Sequence, residues 1–271
     1  MRFAICNELY NDRSARGAMQ HARSVGYEGW EIAPFTLADS IEEFSPAQRK
    51  QYAQMAADEG LEIVGLHWLL AQTTGFHLTH NDPKVRTSTA KYLGRLTSLC
   101  HDLGGKVMVF GSPQQRNLPA GVSLTEGIDR AAKVLAAVSE QLADSDVTIA
   151  IEPLGPEETN FLCTAAEAKC LIDAVGSPQV KLLLDVKAMA TESVSIPELI
   201  SSHIGNLVHF HANDPNRQGP GMGEVDFRPI MATLADEKFG GWVSVEVFDY
   251  SPGIEKLASS SIEYLSRLTQ H

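Results

Sequence analysis

The 271-residue sequence predicts an α/β fold, a single-domain (β/α)₈ TIM barrel, and three observations support this prediction. Short apolar runs alternate with longer amphipathic stretches eight times, the connections are short, and no linker rich in Pro, Gly or Ser interrupts the pattern. Eight strand–helix pairs in this order are typical of a closed parallel barrel. Because the length is also that of one such barrel, we expect a single domain over residues 1–271.

Each element of the barrel can be assigned to a segment of the chain. The predicted strands are short apolar runs, at 2–7, 28–33, 61–67, 106–111, 146–152, 180–185, 206–211 and 241–247. The predicted helices lie between them, at 12–25, 46–59, 84–103, 121–143, 163–175, 194–203, 227–237 and 253–268.

Side-chain alternation places a polar residue inside the barrel at the end of each of the last four strands. In strand order, these residues are Glu152, Asp185, His211 and Glu246. In the fifth strand Glu152 shares the inward face with Ala150. In the seventh strand both His211 and His209 lie on the face opposite Val208, with His209 one layer deeper. The carboxyl ends of the strands are where barrel active sites lie.

These four side chains predict a site for one divalent metal ion. Adjacent strands are about 4.8 Å apart, so the four groups can converge on one point. Three carboxylates crowded together without a cation repel one another, and a metal ion removes that conflict. Oxygen ligands with one imidazole suit Mn²⁺, which we expect, and are compatible with Mg²⁺, Co²⁺, Fe²⁺ or Zn²⁺. The alternative is a buried salt-bridge network with Lys181 or Arg217 as counter-charge.

Charge and composition exclude other classes of function. The net charge of −12 argues against a nucleic-acid partner, since binding phosphates needs clustered Lys and Arg. No signal-peptide pattern opens the chain, and no apolar run approaches membrane-spanning length. We expect a cytoplasmic protein that binds a small molecule and no membrane, and homo-oligomer formation is compatible with the sequence.

Several runs resemble those of a known family. They are GYEGWEI, GLEIVGLHWLL, IEPLGPEET, the LLLD that ends the sixth strand, HFHANDPNRQGPGMGEVDF and WVSVE. Together they resemble the xylose-isomerase-like TIM-barrel family, which includes ketose 3-epimerases, hydroxypyruvate isomerase and inosose-processing enzymes. The resemblance covers nearly the whole chain.

The resemblance implies roles for individual residues. It implies the Glu/Asp/His/Glu metal site described above, with Glu152 and Glu246 acting in addition as acid–base catalysts. It also implies substrate contacts from His67 on the third strand, Glu158 after the fifth strand and Arg217 after the seventh.

One departure from the family pattern affects the expected pocket. Relatives commonly carry a substrate-contacting His three residues after the strand-six Asp, and this chain has Ala188 there. Pocket shape should therefore differ. Beside it, Lys187 is expected to be a solvated loop residue, with binding of an anionic group as the alternative.

Other polar and aromatic residues allow two interpretations each. Glu31 has an inward parity and fits either the pocket rim or a buried ion pair. In the long loop after the third strand, Trp68, Phe76 and His77 fit either an apolar lid or ordinary loop packing. After the fourth strand, Gln115 and Arg116 are candidate polar contacts to the substrate.

The predicted function is a divalent-metal-dependent isomerase or epimerase of a small ketose or related hydroxyketone. One Glu would remove a proton next to the carbonyl, giving an enediolate, and the other would return one. The alternative is a metal-dependent lyase or dehydratase that acts on a keto-sugar or inosose after the same proton abstraction. The acidic net charge disfavours a nuclease. The presence of both glutamates disfavours a barrel that binds sugar but has no catalytic activity.

Overall fold

Eight parallel strands form a closed barrel in which each strand pairs with the next and the eighth pairs with the first. The computed structural model describes residues 1–269, so the last two positions of the expected 1–271 domain lie outside the described residues. The strands, β1 to β8 in chain order, are Arg2–Cys6, Gly29–Ile32, Glu62–Leu66, Val107–Phe110, Thr148–Ile151, Val180–Asp185, Leu207–Ala212 and Trp242–Val245. The predicted barrel is confirmed, with strand ends within two residues of the predicted ones.

The helices surround the barrel and cover its outer face. In chain order, α1 to α10 are Ala15–Val25, Pro46–Asp58, Pro83–Asp102, Leu124–Ala136, Ser139–Asp144, Ala165–Val175, Val186–Met189, Ile196–His203, Phe227–Asp236 and Ile254–Leu268. Each predicted helix is present, but the one predicted at 121–143 is divided into α4 and α5, and the short α7 was not predicted. Among the described residues, no helix has both the length and the apolar character needed to cross a membrane.

Local sequence signals explain where helices begin and end. At the start of α2, Ser45 and Gln48 form a reciprocal capping box, and Pro46 occupies the first turn. The first helix ends at Gly26, whose φ of 117° favours glycine. These signals fix the short connections that bring successive strands side by side.

The lower half of the barrel interior is filled by a small apolar cluster, while the polar ends of the strands lie above it. The cluster comprises Val107, Val109, Ala150 and Leu183, with Val208 packed against it. Val208 was predicted on the face opposite the inward histidines, and this prediction was wrong, since it packs against the interior cluster. The β6–β7 register shifts by one residue here: Leu182 pairs with Leu207, and Leu183 pairs with His209. This irregularity re-aims one side chain without moving His209 or His211 off the inward face.

Candidate active site

The four polar side chains predicted at the strand ends meet at one point above the barrel core. Glu152, Asp185, His211 and Glu246 each contribute a ligand-type atom, and these atoms lie within 4.8 Å of one another. All four residues are buried. Asp185 and His211 belong to β6 and β7, and the two glutamates follow β5 and β8 directly. The parity rule therefore placed all four correctly.

His211 is oriented by a carboxylate on the opposite side of the barrel. Its Nε2 donates to Glu31 Oε1 over 3.1 Å, and the other oxygen of Glu31 accepts from His209 Nε2 over 2.9 Å. The remaining nitrogen of His211, Nδ1, consequently faces Glu246 Oε2 at 3.0 Å and Glu152 Oε1 at 3.6 Å. Of the two interpretations of Glu31, the buried ion pair is the one observed, since the residue lies beneath the site and is only 1% exposed.

Asp185 is fixed by groups from two neighbouring segments. Its Oδ1 accepts from the backbone N–H of Ala188 over 2.8 Å, which caps the short helix α7. Its Oδ2 accepts from the side-chain amide of Asn213, just after β7. Asn213 also accepts from the backbone N–H of Lys187, so it holds α7 against β7. The sequence analysis missed Asn213, although its position in the HFHAND run was available as a signal.

Glu246 is held by two N–H donors from the end of β3. Trp68 Nε1 donates to Glu246 Oε1 over 2.7 Å, and His67 Nδ1 lies 3.3 Å from the same oxygen. On its other side, His67 Nε2 lies 2.9 Å from Glu8 Oε2. Glu8 was also missed, although it lies only two residues after the end of β1.

Glu152, in contrast, has an unengaged carboxylate. No donor within residues 1–269 makes a hydrogen bond to it. Its Oε2 lies only 1.7 Å from the position that a Cβ on residue 111 would occupy, so only glycine leaves room for this carboxylate. Its backbone is fixed instead: Arg116 Nη1 donates to the Glu152 carbonyl over 2.6 Å, and Nη2 donates to the carbonyl of Phe110. Arg116 is completely buried, so the prediction that it contacts substrate was wrong.

The donor set fits a divalent cation. Two buried atoms that face each other, His211 Nδ1 and Glu246 Oε2, have no hydrogen-bond partner among the described residues. Within residues 1–269, neither Lys181 nor Arg217 makes an ion pair with any of the four site residues. The alternative of a salt-bridge network with these counter-charges is therefore not observed. An imidazole nitrogen and three carboxylates around one point are a ligand set suited to Mn²⁺ and similar ions.

The electrostatics of the cluster show the same shortage of positive charge. Burial, reinforced by the nearby carboxylates, raises the pKa of Asp185 to about 7. Burial opposes the protonated form of His211, but Glu246 and Glu31 outweigh it and raise the pKa of His211. Burial also opposes ionisation of Glu246, and the two histidines outweigh it and lower the pKa of Glu246. In the absence of an ion, the carboxylates therefore favour a proton on His211, at the place where a metal ion would bind.

A solvent-accessible cavity of about 260 Å³ lies at the mouth of the barrel. Glu158, Lys187, Arg217 and Phe248 line it, which brings together two of the predicted substrate contacts. The expectation of a solvated Lys187 was wrong: its side chain is 14% exposed and pairs with Glu158, and its Nζ lies 5.1 Å from the Phe248 ring centre. Because α7 begins directly after Asp185, it turns Lys187 toward the mouth instead of into solvent.

The third predicted substrate contact lies deeper. His67 has no exposed surface and reaches the cluster through Glu246, so its predicted contact with substrate stays a prediction. Of the lid candidates, only Trp68 reaches the site. Phe76 stacks on Tyr92 at 4.3 Å and serves loop packing.

Comparisons with known proteins identify the chain's relatives. The family model described as xylose isomerase-like TIM barrel matches residues 19–268. A probable ketose 3-epimerase of Synechocystis sp. is 25% identical over 267 residues, covering 93% of this chain and 90% of the relative. A D-psicose 3-epimerase of Enterocloster bolteae is 31% identical over 239 residues, covering 85% and 75%.

A solved structure has the same fold over the full chain. The crystal structure of a D-psicose 3-epimerase in the presence of D-fructose superposes with a TM-score of 0.88 and covers 100% of both chains, at 21% identity. This likeness independently supports the barrel described above.

Proposed function

Because the chain belongs to the xylose isomerase-like TIM-barrel family, we propose that it is a divalent-metal-dependent isomerase or epimerase of a small ketose or related hydroxyketone. The observation that carries this proposal is the convergence of three carboxylates and one imidazole, with unpartnered atoms facing one another, below an open cavity. The names of the relatives support a ketose as substrate.

Glu152, Asp185, His211 and Glu246 would hold the ion. When bound, a divalent ion polarises a substrate carbonyl and favours loss of a proton from the adjacent carbon. We propose one ion per site, and Mn²⁺ as that ion. Mg²⁺, Co²⁺, Fe²⁺ and Zn²⁺ suit the same ligands.

The proton transfers belong to the two glutamates. Both Glu152 and Glu246 border the point where the four side chains converge, so a ketone seated there has its α-hydrogen within reach of a carboxylate. The C–H electron pair becomes the C=C bond of an enediolate, and the carboxylate keeps the proton. Such acid–base assistance contributes about 10²–10⁴-fold to the rate.

The cavity at the mouth would hold the rest of the substrate. Glu158 and Arg217 supply hydrogen-bonding groups at its rim, and the ring of Phe248 supplies an apolar surface. We propose that residues 1–271 form a single domain and that its partner is a small sugar-like ketone. Cytoplasmic location, homo-oligomer formation and the lack of a nucleic-acid partner stay predictions.

Products formed in D₂O distinguish the proposed function from a lyase. Both reactions begin with loss of the α-proton, but an isomerase or epimerase returns a hydrogen to carbon. We expect mass spectrometry to show products with the substrate's mass plus incorporated deuterium for the preferred ketose. Stoichiometric loss of water or of an aglycone, with an absorbing enone, would establish the lyase, whose different leaving group the small Ala188 side chain could accommodate.

Glu31→Gln tests whether the buried ion pair orients His211 for metal binding. A carboxylate accepts from both His209 and His211, whereas an amide presents an N–H₂ to one of them. Loss of such a partner typically costs 10–100-fold in metal affinity, and we expect a decrease of about that size by calorimetry with Mn²⁺. The control is Glu62→Gln, the same change at an exposed residue that pairs with Arg2. Equal affinities in the two variants would contradict the orienting role.

A further inference from the structure

One cationic side chain at the mouth cavity has hydrogen-bond donors that the protein itself does not use. The residue is Lys187, whose side chain is 14% exposed. Its ammonium group carries three N–H donors, and within residues 1–269 the one acceptor that it meets is a carboxylate oxygen of Glu158. A largely buried ammonium group needs further polar partners. The cavity of about 260 Å³ that Lys187 lines is the space from which a ligand can supply them.

The backbone fixes the position of Lys187 relative to the metal ligands. Its own N–H donates to Asn213 Oδ1 over 2.9 Å, and the next N–H, that of Ala188, donates to Asp185 Oδ1 over 2.8 Å. The other three side chains of α7 are apolar and buried. Lys187 is therefore the one side chain through which α7 can donate a hydrogen bond to a ligand, and its starting point is set by the same contacts that fix Asp185.

A second cation, Arg217, lies at the same cavity and is held by a strained turn. Its φ is 70°, in the left-handed region that is costly for a non-glycine residue. Its carbonyl accepts from the backbone N–H groups of Phe248 over 2.8 Å and of Asp249 over 2.9 Å. Lys187 Nζ and Arg217 Cζ lie 5.1 and 5.8 Å from the centre of the Phe248 ring, which is within the range of cation–π contact. The ring therefore keeps both cations at the cavity.

The charges that line the cavity balance one another. Besides Lys187 and Arg217, the lining includes the carboxylates of Glu157 and Glu158. An anionic group of a ligand offers acceptors only, and it would meet these two carboxylates as like charges. A hydroxyl group can accept from Lys187 and donate to Glu158, whose Oε1 receives no hydrogen bond in the part of the chain that the structure describes. The available donors and acceptors therefore match a neutral hydroxyl group.

We propose that Lys187 determines substrate specificity: with Glu158 as its partner, it binds one hydroxyl group of the ketose, on a carbon that takes no part in the proton transfer. The inference rests on the proposed function and deepens it, because it names the substrate class as a neutral ketose in which that hydroxyl group is free. A phosphate or carboxylate group at this end of the substrate would be repelled by Glu157 and Glu158. The four metal ligands keep the roles proposed above.

The test is a cycle between one side chain of the protein and one hydroxyl group of the substrate. Lys187→Met keeps the apolar stem of the side chain and removes its donors. It is assayed on a neutral ketose that the wild type converts and on the monodeoxy analogues of that ketose, each lacking one hydroxyl group outside the reacting carbons. For the parent ketose we expect kcat/KM to fall by about 10–100-fold, mainly through KM, as on loss of a hydrogen bond to a charged group. For one analogue the same substitution should change kcat/KM by less than about twofold, because the contacted hydroxyl group is already absent.

Further variants separate a lost contact from damage to the site. Calorimetry should give Lys187→Met the Mn²⁺ affinity of the wild type, since the backbone N–H groups that engage Asn213 and Asp185 remain. Lys187→Gln keeps an N–H₂ donor and should retain part of the preference for the parent ketose over that analogue. Lys187→Ala gives the same comparison if Lys187→Met folds poorly. Lys133→Met, the same change at an exposed residue of α4, should match wild type with every substrate.

The possible outcomes distinguish this inference from the proposed function. An equal fall in kcat/KM for the parent ketose and for every monodeoxy analogue would overturn the inference, because Lys187 would then act through structure or long-range charge. A wild-type preference for a ketose that bears a phosphate or carboxylate group would also overturn it. Both results require turnover of a ketose, so they leave the proposed function intact. Failure of every ketose to be converted would overturn the proposed function and this inference with it.

Discussion

Glu152→Gln is expected to lower turnover by about 10²–10⁴-fold, the usual contribution of a general base. The amide keeps the shape of the side chain and one oxygen at the site but cannot take a proton. The unengaged carboxylate of Glu152 makes this the most damaging conservative change in the cluster. Stopped assays of the preferred ketose, with turnover at saturating substrate separated from KM, measure the effect.

The same substitution should not destabilise the metal-free protein. Glu152 lies among Asp185 and Glu246 in a buried cluster, so removing its charge lessens repulsion in the folded state. We expect the melting temperature of the metal-free variant to equal or exceed that of wild type, the usual trade-off between stability and activity at a charged site. Glu237→Gln, at an exposed position directly after α9, is the control and should change neither property. Near-normal turnover in Glu152→Gln would remove it from the chemistry.

The fold could be predicted because its signals are local. Apolar runs of strand length and the amphipathic stretches between them follow from residue order alone, and the parity of each strand placed Glu152 and Glu246 on the inward face. Parity failed at Val208, because a register shift depends on the partner strand and leaves no mark in the sequence of β7. Lys187 was misplaced for a related reason: a one-turn helix after β6 is too short to show periodicity.

Partners from distant parts of the chain could not be predicted. The sequence gives no sign that Glu31 binds two histidines 178 and 180 residues away, since closure of the barrel creates that contact. Arg116 was taken for a candidate substrate contact because it lies in the loop after the fourth strand, at the end of the barrel where active sites lie. Here two buried carbonyl groups at the ends of β4 and β5 accept its N–H groups, which compensates for its burial. The engagement of Glu246 by Trp68 is likewise a product of tertiary structure.

Removal of the metal ion is expected to abolish activity and to lower thermal stability. An ion bound only by the folded state adds about 2.7 kcal/mol at a concentration of one hundred times its Kd. Chelation removes this stabilisation of the folded state. It also leaves the carboxylates of Asp185, Glu152 and Glu246 buried together without a metal cation. We expect melting curves to show a fall with chelator and a dose-dependent recovery with added Mn²⁺.

Two variants separate loss of the ion from a general effect of chelator. Asp185→Asn removes one charged ligand, so it should bind less than one equivalent of Mn²⁺ by elemental analysis and should melt at nearly the same temperature with and without the ion. Asp236→Asn, an exposed carboxylate at the end of α9, should respond as wild type does. Both measurements are independent of turnover, so they test the site even before the preferred ketose is known. Full activity in protein shown to be free of metal would contradict the assignment of these four residues as ligands of a catalytic ion.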